Sequence, residues 1–508
     1  MAHCSHFVAS LSLEWDRQTS IPLFRQLYAR IREAILIGQL EGGTRLPPTR
    51  ELAEQLHISR NTVINAFEQL IAEGYLEGKV GAGTYVANVL PEEVLQDRVN
   101  IRLRPGACHE QTPSISQRGQ LLTASTVAPL RYASPPRAFQ PGLPAIDHFP
   151  FDTWSKLAAY CWRNPPHELL CYGDPHGYQP LREAIASYLK AARGVKCEAD
   201  QIVIVSGSQQ ALDLTARILL DPGDAVCIED PGYLGARHAF VGAGARLVPV
   251  AVDDEGLQVD AAMAHDQDIR LVYVTPSHQY PMGVTMSLAR RLTLLEWATR
   301  KGMWIVEDDY DSEYRYTGRP LAALQGLDET GRVIYMGTFS KVLLPSLRLG
   351  YLVVPPTLVE TFVKARALAD RHSPSIDQAI LAQFMQEGHF TRHIRRMKKL
   401  YMERQAVLVE AVERELHGVL QIPPTQGGLH VAGRLLPEVD DRLVSQQAQH
   451  FDIDTPPLSA YGLSHPTLNG LVLGYAGIEP EAIQAGVKRL ARAIDDVIAI
   501  AVSSSGSK

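Results

Sequence analysis

The chain has 508 residues, the length of about three globular units at roughly 150 residues each, so a single small module is excluded. Hydrophobic residues make up 45% and charged residues 21%, which excludes global disorder and a fibre. The net charge is −7, and residues 1–88 carry eight Lys and Arg against nine Asp and Glu, so no strongly basic domain is concealed in the total; any nucleic-acid contact must come from where particular side chains are placed.

No run of 18 or more uninterrupted apolar residues occurs, and the first residues lack the basic-then-apolar pattern of a signal peptide, so a cytoplasmic location without membrane contact is expected. The six cysteines (Cys4, Cys108, Cys161, Cys171, Cys197, Cys227) form no CxxC pair and have no histidine spacing suited to zinc; reduced thiols and no metal site are expected.

In chain order, Phe24, Leu27, Tyr28, Ile31 and Ile35 recur at helical spacing between Ile21 and Gly38, behind Pro22. A second, short helix is expected over Thr49–Leu56, with the Thr49 hydroxyl as its cap. After a turn at His57-Ile58, Ser59 caps a third helix in which Val63, Ile64, Phe67, Leu70 and Ile71 face inward and Arg60, Asn61, Thr62 and Asn65 face out. Two helices joined by a tight turn, the second polar at its amino end, are a helix-turn-helix pattern. Gly74–Glu77 and Gly83–Val86 read as strands joined through Lys79-Val80-Gly81-Ala82, a hairpin that makes a wing. The segment LPPTRELAEQLHISRNTVINAFEQLIAEGYLEGKVGAGTYV resembles the winged helix-turn-helix of the GntR family of bacterial transcription regulators. The resemblance implies that Thr49, Arg50, Ser59, Arg60, Asn61, Thr62, Lys79, Gly81 and Gly83 meet a double-stranded DNA operator. Residues 14–88 form this domain, and the polar, aperiodic stretch 89–135 reads as a linker.

Beyond residue 136, strand-like runs (Ile202–Val205, Ala225–Ile228, Arg246–Val250, Leu271–Val274, Trp304–Val306, Val333–Met336) alternate with helical patterns. Such alternation predicts a mainly parallel sheet covered by helices, with ligands beyond the carboxyl ends of the strands. At those ends stand Ser206-Gly207-Ser208-Gln209, a turn whose free amides suit an anion, and Glu307-Asp308-Asp309-Tyr310-Asp311, acids around a tyrosine. A later strand ends in Gly337-Thr338-Phe339-Ser340-Lys341, with Arg348 shortly after. A lysine between a hydroxyl residue and an arginine, opposite a carboxylate on another strand, has the parts to hold pyridoxal 5′-phosphate.

These pieces resemble the fold type I, aminotransferase-like family of pyridoxal-phosphate proteins over residues 136–500, an α/β domain with a large mainly parallel subdomain and a small C-terminal one. The resemblance implies that Lys341, the catalytic lysine, forms an imine with the cofactor aldehyde, that Asp308 pairs with the pyridine nitrogen, and that Tyr310 bonds the ring hydroxyl oxygen. It further implies that Tyr233 stacks on the ring, that Ser340, Arg348 and the amides of Gly207, Ser208 and Gln209 bind the phosphate, and that Tyr172 reaches the phosphate of a partner subunit, hence a homodimer. One departure stands out: aminotransferases of this kind often carry an arginine just before the last strand, a bidentate fork for the substrate carboxylate, and here Val472 stands at that place. Arg237 and Arg434 are nearby cations without a motif behind them.

A GntR-type winged helix tethered to an aminotransferase-like domain resembles the MocR subfamily of regulators. That resemblance implies a transcription regulator sensing pyridoxal phosphate or its adduct with a small amine or amino acid, vitamin B6 synthesis being one target of the subfamily, with weak turnover or none. The alternative is a working aminotransferase with an accessory winged helix, against which Val472 weighs.

Overall fold

The computed structural model describes residues 21–79, 83–88, 114–124, 137–265, 268–318, 321–464 and 468–505. Gly81, Cys4, Cys108 and most of the expected linker lie outside them. The chain divides into two compact units, Met1–Ser114 and Ile115–Lys508.

In the first unit, α1 (Leu23–Leu36) follows Pro22 and buries Leu27, Ile31, Ala34 and Ile35. Helix α2 (Thr49–Leu56) departs from expectation at its start: Pro48, extended at ψ 140°, is the boundary residue, Thr49 is already helical, and no side chain caps the helix. Its end is set by His57 in the left-handed region at φ 54°. Helix α3 (Arg60–Ala72) is capped as expected, the Ser59 Oγ accepting from the Thr62 N–H at 3.1 Å. Its inward face is Val63, Ala66, Phe67 and Leu70; Ile64 is only partly buried and Ile71 is 41% exposed, because each lies a step round the helix from the buried stripe. Strand β1 (Leu76–Lys79), which starts two residues later than expected, pairs antiparallel with β2 (Gly83–Val86) from Leu76↔Val86 to Lys79↔Gly83.

The second unit opens with α4 (Gln117–Ala124), a short helix within the stretch read as a linker. Helices α5 (Phe151–Arg163), α6 (His167–Leu170) and α7 (Gln179–Arg193) lead into the large sheet. There follow β3 (Ile202–Val205), α8 (Ser208–Leu219), β4 (Ala225–Asp230), α9 (Leu234–Gly242), β5 (Arg246–Asp253), β6 (Gly256–Leu257), α10 (Val259–Ala264), β7 (Ile269–Val274), α11 (Leu288–Lys301), β8 (Trp304–Asp309), α12 (Leu324–Leu327), β9 (Val333–Thr338) and β10 (Gly350–Val353). Helix α4 packs on α9, with Leu122 over Gly242. The strand order is β3-β10-β9-β8-β7-β4-β5-β6. Strands β5, β4, β7, β8 and β9 run parallel to one another, as the β-branched, doubly buried runs predict. Strand β10 was not foreseen; it inserts antiparallel between β9 and β3. Helices α13 (Val359–Asp370), α14 (Ser375–Gln386) and α15 (His389–Glu415) precede the small sheet β11 (Leu420–Gln421), β12 (His430–Leu435) and, after α16 (Asp441–Gln449), β13 (Gly470–Gly474); α17 (Pro480–Ser505) closes the chain. Among the described residues no helix is long and apolar enough to cross a membrane.

Candidate functional site

Strands β3, β4, β7, β8 and β9 point the same way, so Ser206, Tyr233, His278, Tyr310 and Lys341, which follow their carboxyl ends, come to one edge of the sheet. Because β10 runs against them, the residues before it, Arg348 among them, reach that same edge. Segments far apart in sequence thus converge where open α/β sheets bind ligands.

The acids around Tyr310 divide by what each carboxylate holds. Glu307 accepts the backbone N–H groups of Leu324 and Gln325, both at 2.8 Å, and so caps α12. Asp309 takes the guanidinium of Arg193 at 2.8 Å and the Tyr335 hydroxyl at 2.6 Å, both sides buried. Asp311 faces His278 Nδ1 at 3.0 Å. Asp308 accepts only the Tyr273 hydroxyl, at 2.8 Å on Oδ2; its Oδ1 is buried with no hydrogen-bond partner. Burial pushes the Asp308 carboxyl up to about 7, with Asp309 and Asp311 adding to the rise and the Tyr273 bond and Lys341 opposing it. Asp309 and Asp311 likewise each keep one oxygen buried and without a partner among the described residues; Asp308 differs in that a neutral hydroxyl is its only bond, whereas Asp309 holds a guanidinium and Asp311 a histidine.

Lys341 donates to the carbonyl of Gly142 at 2.9 Å. Burial lowers its pKa, and Asp311 and Asp308 pull it back up. Gly142 sits at φ 74°, and a Cβ there would stand 2.5 Å from the lysine Nζ, so only glycine lets this backbone so close. Ser340 is buried with its Oγ unpartnered. Arg348, itself left-handed at φ 49°, donates to the Ser206 carbonyl at 2.9 Å. Its guanidinium lies over Gly207, where a Cβ would meet it at 3.1 Å. Gly207, at φ 90°, is the boundary residue of α8 and has no side chain to cap the helix, so the first amides of Ser208 and Gln209 are free for an anion beside the Arg348 guanidinium.

Tyr310 places its hydroxyl 3.0 Å from His278 Nδ1, and burial raises its pKa well above the ordinary tyrosine value. Tyr233 stands at the boundary of α9 with its ring edge-to-face on Tyr280, centroids 5.7 Å apart. Tyr280 is the hinge of an aromatic wall: Tyr310 lies at 5.9 Å, His430 at 5.0 Å and Tyr461 at 5.5 Å from it. Behind it Val472, on β13 opposite Ala432, is wholly buried among Ala432, Leu458 and Tyr461. Tyr172 is 87% exposed, its ring near Arg371 and His372.

On the first unit, Arg50, Ser59, Arg60, Asn61 and Lys79 are exposed and Thr49 and Thr62 partly so. Arg50 pairs loosely with Glu54 at 3.7 Å, and Lys79 lies over the Tyr85 ring. Gly83, at φ 112°, opens the wing strand beside the Arg45 side chain, an exposed cation that the sequence reading passed over.

Three further residues were missed in the large unit, and Ser206 was named only as part of its turn. Tyr273 and His278 follow from β7, whose end could have been inspected as those of β8 and β9 were. Gly142 and Ser206 act through backbone carbonyls, which carry no sequence signal.

A helix-turn-helix head and, on a separate unit, a lysine and an under-satisfied aspartate at the edge of a mixed α/β sheet define a DNA-binding head fused to an aminotransferase fold. The model of bacterial regulatory proteins of the gntR family matches residues 23–86, and that of class I and II aminotransferases matches residues 147–490. The chain is 43% identical to the probable rhizopine catabolism regulatory protein MocR of Rhizobium meliloti over 97% of each chain. It is 30% identical to the pyridoxine biosynthesis transcriptional regulator PdxR of Corynebacterium glutamicum, over 93% of this chain and 96% of that one. Among solved structures it resembles LysN, an α-aminoadipate aminotransferase of Thermus thermophilus solved with N-(5′-phosphopyridoxyl)-L-leucine, at TM-score 0.70 and 30% identity over 76% of this chain and 98% of that one. The chain belongs to the MocR subfamily of GntR-type regulators, in which a winged helix-turn-helix precedes a class I and II aminotransferase domain.

Proposed function

We propose that the chain is a transcription regulator whose head binds a double-stranded DNA operator and whose large domain holds pyridoxal 5′-phosphate as the sensed ligand or as the platform for sensing an amine. The observation that carries the reading is the buried Asp308 carboxylate, which among the described residues is bonded only by the neutral Tyr273 hydroxyl and keeps its Oδ1 unpartnered, at the same sheet edge as Lys341. An orphaned carboxylate oxygen suits a protonated ring nitrogen, and the α8 amides beside Arg348, with the unpartnered Ser340 Oγ, suit a phosphate, so the residues fit this cofactor. When bound, pyridoxal phosphate supplies an aldehyde that condenses reversibly with primary amines and a ring that withdraws electrons.

The protein's part is to place charge. Asp308 holds a proton at the ring nitrogen, Tyr310 directs its hydroxyl at the ring oxygen, and Tyr233 covers the ring face. Ser340, Arg348 and the amides of Gly207, Ser208 and Gln209 grip the phosphate, and Lys341 stands as the amine. The exposure of Tyr172 on its own subunit, together with exposed Phe151, Tyr160, Trp162 and Leu170, supports a homodimer in which that tyrosine serves the partner's site. In this reading Thr49, Arg50, Ser59, Arg60, Asn61, Thr62, Lys79 and Gly83 are the DNA contacts, together with Gly81 outside the described residues, and a protein that binds an operator would work in the cytoplasm.

The deciding experiment is a titration of DNA from upstream of the protein's own gene, with and without pyridoxal phosphate. Coupling between the sites is expected to change the apparent affinity by roughly 5- to 150-fold. Identical curves would overturn the sensing role.

A further inference from the structure

We propose that the effector that enters this cleft is a primary amine without a carboxylate; the inference rests on the reading that the cleft holds pyridoxal phosphate. Val472 shows no exposed surface and packs with Ala432, Leu458 and Tyr461, with Leu234, Tyr280 and Met282 against them. This apolar cluster is continuous with the cofactor residues, since Tyr280 touches the rings of both Tyr233 and Tyr310 and Leu234 directly follows Tyr233. It is the wall that a group attached to a bound amine would meet.

None of the nearby cations belongs to the Val472 cluster: Arg193 is held by Asp309, and Arg315, whose Nε has no partner among the described residues, lines a small cavity with His278 and Asp311 and bonds Thr285 and Gln426. Arg434 lies on β12 opposite Gly470, past the Ala432–Val472 pair, and its side chain is exposed. Arg237 is only partly buried, on α9 beyond Leu234. Lys341 and Arg348 are turned to the carbonyls of Gly142 and Ser206. His430, against Tyr280, bonds the Pro281 carbonyl through Nε2 at 3.1 Å, and burial keeps it neutral. A carboxylate entering here would leave water for a surface with no countercharge, whereas an uncharged substituent would meet methyl groups, ring edges and the Tyr280 and Tyr461 hydroxyls, which lie 3.2 Å apart.

The test uses matched pairs that differ by the carboxylate alone: isobutylamine against L-valine, and 2-phenylethylamine against L-phenylalanine. Each is titrated into the full-length protein loaded with pyridoxal phosphate, with half-saturation read from the visible absorption of the cofactor. Each amine is expected to half-saturate at a concentration at least about tenfold below that of its amino acid. Val472→Arg is expected to reverse the order by restoring a fork for the carboxylate. If that variant does not fold, the wild-type pairs decide alone. Amino acids titrating as tightly as the amines into a yellow protein would overturn the inference and leave the cofactor reading intact. A protein that takes up no cofactor would overturn both.

Discussion

Tyr273 donates its hydroxyl to one oxygen of Asp308 at 2.8 Å and leaves the other buried and bare. The fold therefore leaves one oxygen of a buried carboxylate without a protein partner among the described residues. Such a group burdens the protein until a ligand answers it.

The sign of that burden is measurable. Asp308 is raised from 3.8 to about 7 in the folded protein, so the native state binds its proton more tightly than the unfolded chain does. Its contribution is neutral below about pH 4 and turns unfavourable as pH rises to 7 and beyond. Glu229, Glu307 and Glu313 are likewise pushed up to about 7 by burial and slope the same way, and the difference between wild type and Asp308→Asn reports Asp308 together with its charge coupling to Glu229. Without cofactor, Asp308→Asn is expected to be more stable than wild type by roughly 2–4 kcal/mol at pH 8, the two converging near pH 4. The same variant is expected to bind pyridoxal phosphate more weakly. Urea unfolding across pH checks the first part, and a cofactor titration the second; a variant less stable than wild type at pH 8 would contradict the account.

Gly142 supports Lys341 through a carbonyl, at a backbone angle that L-residues rarely adopt. Gly142→Ala should cost about 1–2 kcal/mol in backbone strain and push the lysine Nζ aside, because the new methyl would stand 2.5 Å from it. The expected outcome is a sharp loss of borohydride-trappable cofactor with DNA binding to a non-specific duplex unchanged. Full trapping in the variant would remove Gly142 from the site.

What the sequence disclosed and what it withheld follow from how each residue acts. Lys341, Asp308 and Arg348 sit at strand ends or beside them, and the strands are apolar runs that periodicity reveals, so both fold and cleft were open to reading. Strand β10 was missed because its four residues, Gly350-Tyr351-Leu352-Val353, open on a glycine and hold a single β-branched residue, whereas the equally short β3 is β-branched throughout. The differing fates of Glu307, Asp309 and Asp311 could not be read, since Arg193, His278 and the α12 amides that claim them come from other segments. Ile71 was placed inward on helical spacing, which fixes the stripe only to about one residue on either side.

The head makes its own prediction. Arg60 and Asn61 begin α3 beyond the Ser59 cap and are exposed. Arg60→Ala or Asn61→Ala should cost about 1–3 kcal/mol in binding the native upstream duplex if the lost contact is to a base, and should leave cofactor absorbance untouched. A lost phosphate contact would instead weaken all sequences alike and flatten the salt dependence. Unaltered affinity at several salt concentrations for both variants would reassign the recognition surface.

The large domain's role is decided by setting turnover beside DNA affinity on one preparation. Transamination needs the substrate held so that the bond to be broken stands correctly against the cofactor ring, and misplacement by about 1 Å can cost two orders of magnitude in rate. Val472 lies in a closed apolar cluster where a fork for the carboxylate is common, so common amino acids have nothing to fix their second anchor point. The cofactor-loaded protein is therefore expected to exchange amino groups between amino acids and 2-oxo acids slowly or not at all, while its affinity for the upstream duplex shifts with ligand. Lys341→Ala should abolish that shift for amines yet keep some cofactor through Ser340, Arg348 and the α8 amides, because those contacts do not pass through the lysine. Rapid turnover accompanied by ligand-independent DNA binding would make the large domain an enzyme that happens to carry a DNA-binding head.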